Sequence, residues 1–329
     1  MTLRKLIVAL IALTALAYGG TKAYLYYKIK DAWNTLAETA APFVEMKRGG
    51  ITSSLTGAAG VTDVEIFLES GESIRIERIE VLVPDIRYLL QADRALEQLA
   101  AGPAALSGVS APVDAPKFVG INVSGIHIDL NSAYMLDFDR LARAEADATV
   151  AEAGCGDIRH FSLAHLREMG YETLKLSMKT LVYPDLAAQS FRVKLDMAIA
   201  EMFRLDTDVS FDVPEGNGPA MTLPRLARLN MVYRDDSLQQ RTGELCVKHG
   251  APDLKAFRDG QLATFQAQMR QMGMELNPAM VNAYAKFLER PGSLTISATP
   301  PSPVDMSGLQ FYKAADIPAL LNLSLTASP

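Results

Sequence analysis

The sequence predicts an α+β protein: an N-terminal transmembrane helix, then a curved, mostly antiparallel β-sheet domain with packing helices. Three observations carry this. Residues Leu6 to Tyr27 form a mostly apolar run. Strict alternation of apolar and polar residues recurs between 173 and 249. Two segments with helical spacing and clear start and stop signals follow from Asp253. By composition, 49% of residues are apolar and 21% charged, which supports a sizeable core and argues against disorder.

At about 1.5 Å per residue, the run from Leu6 to Tyr27 spans roughly 33 Å as a helix, close to a bilayer core. Arg4 and Lys5 before it hold the N-terminus in the cytoplasm under the positive-inside rule. Tyr18, Tyr24, Tyr26 and Tyr27 place rings toward the outer interface, and Lys22 can snorkel. A second reading is a cleaved signal peptide, with Ala15-Leu16-Ala17 as the small-x-small site, and a third is a buried helix of a soluble protein. Either of the first two delivers the remainder to the periplasm of a bacterium. The predicted organisation is an anchor or signal at 1–28, an αβ segment with a hairpin at 29–150, and a meander with C-terminal helices at 151–329.

Residues 28–46 read as helical through Trp33, Leu36, Ala40 and Phe43, with Gly49-Gly50 as the stop. Val64, Ile66 and Leu68, then Ile74 and Ile76, alternate around a turn at Ser70-Gly71 and predict a β-hairpin. The pattern slips at Arg78 before Ile79, Val81 and Val83, which suggests a bulge. Asp85 is the N-cap of a helix striped by Leu89, Leu90, Leu96 and Leu99. Residues 102–116 read as a loop. A strand pair broken near Ser124-Gly125 is expected over Val119 to Leu130, and an exposed helix over 137–150.

The clearest pattern lies further on. Leu174, Leu176 and Met178 alternate with polar residues. Phe191, Val193, Leu195, Met197 and Ile199 alternate with Arg192, Lys194 and Asp196. Leu205, Val209, Phe211 and Val213 alternate with Asp206, Asp208, Ser210 and Asp212. Period two means half-buried strands. Turns are expected at Pro184-Asp185, Glu215-Gly216-Asn217-Gly218 and Asp235-Asp236, which makes an antiparallel meander. A helix follows from Asp253 to Met272, closed by Gly273. The next opens at Asn277-Pro278 and ends at Pro291-Gly292. A strand at Leu294–Ala298 comes last, and the apolar tail from Leu309 to Leu325 is expected to pack back on the sheet.

The residues Arg48-Gly49-Gly50-Ile51-Thr52-Ser53-Ser54-Leu55-Thr56-Gly57, then Val61-Thr62-Asp63-Val64-Glu65-Ile66, then Ile74-Arg75-Ile76-Glu77-Arg78-Ile79-Glu80-Val81 and Pro84, carry a resemblance. With the N-terminal anchor, they resemble the start of AsmA-like envelope proteins over about the first 85 residues. That resemblance implies a curved, groove-like sheet and a role in envelope lipid handling. Such proteins are usually much longer, so this chain would hold only a small groove.

Candidate sites are few. Cys155 and Cys246 are an even pair in a chain bound for an oxidising compartment, and a disulfide is the first reading. The alternatives are two buried thiols or redox or metal chemistry, and no Cys-x-x-Cys occurs. Cys155, Asp157, His160 and His165 lie close in sequence but match no common zinc spacing. Ser162 reads as a helix N-cap with His165 in the first turn. Ser162, His165 and Asp157 make a triad only on paper, since triads form in space and no Gly-x-Ser-x-Gly elbow is present. No Walker loop, Gly-x-Gly-x-x-Gly or His-Glu-x-x-His occurs either. Met269, Met272, Met274 and Met280 read as core filling or an adaptable apolar surface. The aspartates at 206–212 read as the solvated face of a strand rather than a calcium site. Net charge is −6 with no basic cluster, which argues against nucleic acid.

The expectation is a non-catalytic protein with no cofactor, on an inner membrane, binding or passing lipid on an apolar sheet face. The alternative is an anchored scaffold for another envelope protein. The sequence names no ligand-binding residue.

Overall fold

The structure is a computed structural model that describes residues 3–68, 70–90, 116–145, 154–158, 161–214 and 223–329, with side chains from residue 19 onward except 142–145. The chain divides into two compact units, Met1–Ser124 and Gly125–Pro329. The boundary expected from composition, at residue 150, lies outside the described residues.

In the first unit a long helix, α1 (Leu3–Ala40), leads into β1 (Glu45–Ser53), β2 (Ala58–Phe67) and β3 (Ser73–Leu82), an antiparallel meander. α1 lies against β1 and β2. Leu25 and Trp33 of α1 are buried, as are Ala59, Val61, Val64 and Ile76 of the sheet. Full burial of one such large apolar side chain stabilises by about 1.5–3 kcal/mol. Lys22 Nζ donates to the Ser53 carbonyl at the end of β1. Among the described residues no helix is long and apolar enough to cross a membrane. Most of the apolar run from Leu6, through Tyr18, precedes the described side chains.

Two expectations fail here for clear reasons. Gly49-Gly50 does not stop a helix; α1 ends at Ala40 and both glycines sit inside β1. They are needed there because a Cβ on Gly49 would lie 2.8 Å from Asp63 Cβ, and one on Gly50 2.9 Å from Thr62 Oγ1. The slip at Arg78 is not a bulge, since β2 and β3 keep one register from Ala58↔Leu82 to Phe67↔Ser73. Backbone pairing overrides the apolar pattern. Val81 is left 45% exposed, and Glu80 takes the inward place, where Asn122 Nδ2 donates to its carboxylate at 3.3 Å. Asp85 caps α2 (Ile86–Leu90) as expected, accepting from the Arg87 amide at 2.8 Å. Leu96, Leu99 and residues 102–115 lie outside the described residues.

β4 (Val119–Asp129) is one strand, not the expected pair. Gly125 absorbs the irregularity with φ of 64°, and its amide bonds to Ser177 Oγ instead of turning the chain. Then come α3 (Ala133–Glu145), α4 (Leu163–Glu168), β5 (Thr173–Asp185), β6 (Ser190–Ile199), β7 (Phe203–Asp212) and β8 (Arg225–Asp235). The second unit continues with α5 (Leu238–Lys248), α6 (Leu254–Gln271), α7 (Pro278–Glu289), β9 (Ser293–Ala298), β10 (Val304–Asp305), α8 (Ile317–Leu320) and β11 (Leu323–Ser328). Its open antiparallel sheet runs in the order β5-β6-β7-β8-β9-β11, with β10 beside the start of β8. The α+β class and the large antiparallel sheet with packing helices therefore stand.

Pro184 and Asp185 belong to β5 and pair with Phe191 and Ser190, so the turn falls at 186–189. Asp185 still closes it, accepting from the Ala188 amide at 3.0 Å. The glycine-rich turn at 215–218 lies outside the described residues. Between β8 and β9 stand three helices instead of the expected two, because α5 occupies 238–248. The two expected helices form with their expected caps: Asp253 accepts from Ala256 N at 2.7 Å, and Asn277 from Met280 N at 2.9 Å.

Candidate functional site

Register and alternation sort the side chains of the meander onto two faces. Pairing sets Val182, Val193, Val209 and Leu229 side by side across β5–β8. The next row holds Thr180, Leu195, Thr207 and Met231, and the next Met178, Met197, Leu205 and Tyr233. Phe191 stacks on Phe211 at 5.0 Å between centroids. This face carries no charge over the central rows of four strands.

What covers the face decides what it can do. One core lies at the end of the sheet, where Leu174, Ile199 and Phe203 pack with α4, α5 and α6 around Cys155, Cys246 and Phe257. A second core places Met280, Ala283 and Tyr284 of α7 on Leu294, Ile296, Leu323 and Leu325 of β9 and β11. Phe287 of α7 reaches as far as Tyr233 of β8. The central rows of β5–β7 are left half-buried. Among the described residues, Leu226 is the buried apolar side chain of β5–β8. Met178 is 38% exposed, Val182 36% and Val213 39%. Thr207 Oγ1, in the middle of this face, is buried with no hydrogen-bond partner among the described residues.

The opposite face is polar and held by cross-strand ion pairs. Arg192 of β6 meets Asp208 of β7, its Nε donating at 2.6 Å. Arg234 of β8 donates to Asp206 of β7. The Arg192 guanidinium holds the Asp208 carboxyl below the usual carboxylate range. Asp206 and Asp208 thus pair with arginines on neighbouring strands. Tyr233 lies beneath the apolar side, with its hydroxyl donating to Asp235 at 2.9 Å. Burial, with Asp235 adding, pushes its ionisation far above the usual tyrosine range.

Cys155 and Cys246 stand within disulfide-bonding distance, both fully buried, with Cα atoms 4.3 Å apart. Ser162 caps α4 through a capping box, in which the Ser162 amide donates to His165 Nδ1 at 3.1 Å. The two residues of the paper triad therefore meet as a local cap, and Ser162 is buried. Asp157 lies two residues beyond Cys155 in a turn and donates its amide to the His249 carbonyl at 2.9 Å. His160 lies outside the described residues. Among the described residues no group of three His, Cys, Asp or Glu is placed to hold a metal. Sequence reasoning missed the contact of Glu168 with Lys248 (2.6 Å) and His249 (2.9 Å). The hydrogen bonds from Lys248 and His249 draw the Glu168 carboxyl down. No spacing rule could have found it, because α4 and α5 meet only in the fold. Of the methionines, Met280 is core, Met269 and Met274 are half-buried, and Met272 is 51% exposed.

Residues 168–328 are similar to a family whose model is described as "Uncharacterized protein". No curated protein matches the chain. The matched stretch holds all of β5–β9 and β11, with the half-buried face and α5–α7. The residues that carry the AsmA-like resemblance lie outside it.

Proposed function

We propose that this is a non-catalytic, inner-membrane-anchored periplasmic protein that holds or passes lipid on the apolar face of β5–β7. The observation that carries this reading is the half-buried state of the central rows, from Met178 and Val182 to Val209 and Val213. Three adjacent strands, β5–β7, carry no charge in the central rows of this face, and α7 lies on β9 and β11, reaching as far as Tyr233 of β8. Exposed apolar surface of this extent costs free energy in water, about 25 cal/mol per Å², and hydrocarbon chains recover it without needing hydrogen bonds. The bond from Lys22 to β1 supports an anchor confined to the residues before it, because a lysine tied to the sheet stays outside the bilayer core.

The test is native mass spectrometry of full-length protein after gentle detergent extraction. Bound phospholipid is expected in the parent and lost in Val193→Asp/Val209→Asp, with the anchor unchanged in both. Lipid-free parent protein, or equal lipid in parent and variant, refutes the reading.

A further inference from the structure

Edge strands expose unpaired backbone donors and acceptors, and proteins commonly blunt them with charges, prolines or bulges. The first unit follows this rule: its edge strand β1 carries Glu45, Lys47 and Arg48. The second unit does not. β11, Leu323-Ser324-Leu325-Thr326-Ala327-Ser328, ends the strand order and pairs with β9 alone. It has no charged residue and no proline over its six positions, and its register to β9 is unbroken from Leu323↔Ala298 to Ser328↔Ser293. It is therefore a neutral, unbulged edge without the charges or proline that commonly repel another strand.

We propose that β11 docks the β11 of a second copy of this chain, antiparallel, across a two-fold axis at Leu325. The register follows from the faces. Leu323, Leu325 and Ala327 lie on the apolar side, where Leu325 is buried under α7. Ser324, Thr326 and Ser328 lie on the other side and are exposed. Directly opposed residues in an antiparallel pair share a face. A residue-centred axis keeps apolar against apolar, and of the possible centres Leu325 gives the most apolar pairs. It sets Leu325 against Leu325, Leu323 against Ala327, and Ser324 against Thr326. Such a pair closes on itself, so it makes a dimer and not a fibre. Charge supports self-pairing over a charged partner strand, because no like charges meet across the axis. The contact is shorter than a permanent interface of about 1,200 Å² or more, so dissociation on the order of micromolar is expected. This inference is independent of lipid binding.

The test is sedimentation of the full chain in mild detergent, from about 1 to 100 µM, a range set by that affinity. The parent is expected to dimerise with rising concentration. Ser324→Lys/Thr326→Lys places lysines opposite each other on exposed sites and is expected to weaken the dimer at least tenfold. Ser324→Lys/Thr326→Glu places opposite charges across the same axis and is expected to restore it. Hydrogen exchange on the parent reads the same contact without substitution: the amides of β11 gain protection as concentration rises. A parent that stays monomeric overturns the proposal. So do a double-lysine variant that dimerises like the parent, a charge-paired variant that does not recover, and β11 protection that ignores concentration.

Discussion

Replacing both Cys155 and Cys246 by alanine removes a cross-link whose residues are 91 apart in sequence. In the chain-entropy treatment, closing a loop of that length restricts the unfolded chain by about 4.6 kcal/mol at 25 °C. Both residues sit in the core with Leu245, Met202, Tyr171 and Phe257, and both are fully buried. Truncation to alanine also leaves a small cavity, about 1 kcal/mol. Alanine is the right substitute, because serine would bury two hydroxyls in an apolar site. The sum is about 5–6 kcal/mol, a fall in Tm of about 10–20 °C for a unit of this size. Thermal unfolding of oxidised parent and variant measures it. Alkylation under non-reducing conditions checks the starting state: no thiol reacts in the native parent, and none after denaturation. Two free thiols in denatured, unreduced protein, or a loss under about 1 kcal/mol, would refute the reasoning.

Gly60→Ala in β2 would bring a methyl group to 2.7 Å from Glu80 Cα and closer still to the Ile79 carbonyl; overpacking of this kind is expected to destabilise the first unit by about 3 kcal/mol in a denaturant melt. Tyr233 ionises far above the usual range because it is buried. Its raised value stabilises the fold fully below about pH 10, the unfolded value, and the contribution is lost as pH climbs beyond it; Tyr233→Phe should flatten that alkaline decline while losing about 1 kcal/mol at neutral pH. Asp208 is held low by Arg192. Its contribution is present above the unfolded carboxyl value of about 4 and fades as pH falls below it; Asp208→Asn should remove that acid limb and cost no more than about 1 kcal/mol at pH 7, since the pair is partly exposed. Equal acid limbs in parent and variant would show that the pair does not form in solution.

β6 and β7 were legible because apolar and polar residues alternate from Phe191 to Ile199 and from Leu205 to Asp212, and period two has one structural meaning. The caps at Asp253 and Asn277 were equally plain, since each needs only the residue and its own next turn. Elsewhere local signals misled. Pro184-Asp185 has the chemistry of a turn, yet Asp185 closes the turn from inside β5. Leu238–Lys248 gives a weak stripe because the residues it buries, Gly243, Leu245 and Cys246, include a glycine and a cysteine. In β3 the phase of Ile79 and Val81 suggested a bulge, but pairing to β2 kept its register and buried Glu80. β10 and β11 are short, and their partners lie far away in sequence.

Sequence alone determined which side of β6 and β7 is apolar, where α6 and α7 begin, and that two cysteines were available to pair. Tertiary structure alone decided that α7 lies on β9 and β11, that the central rows of β5–β7 remain half-buried, and that β11 ends the sheet. The physical reason is range. Alternation and capping act between residues a few positions apart. Covering a face or an edge depends on segments brought together from across the chain, and no local pattern records which of them arrive.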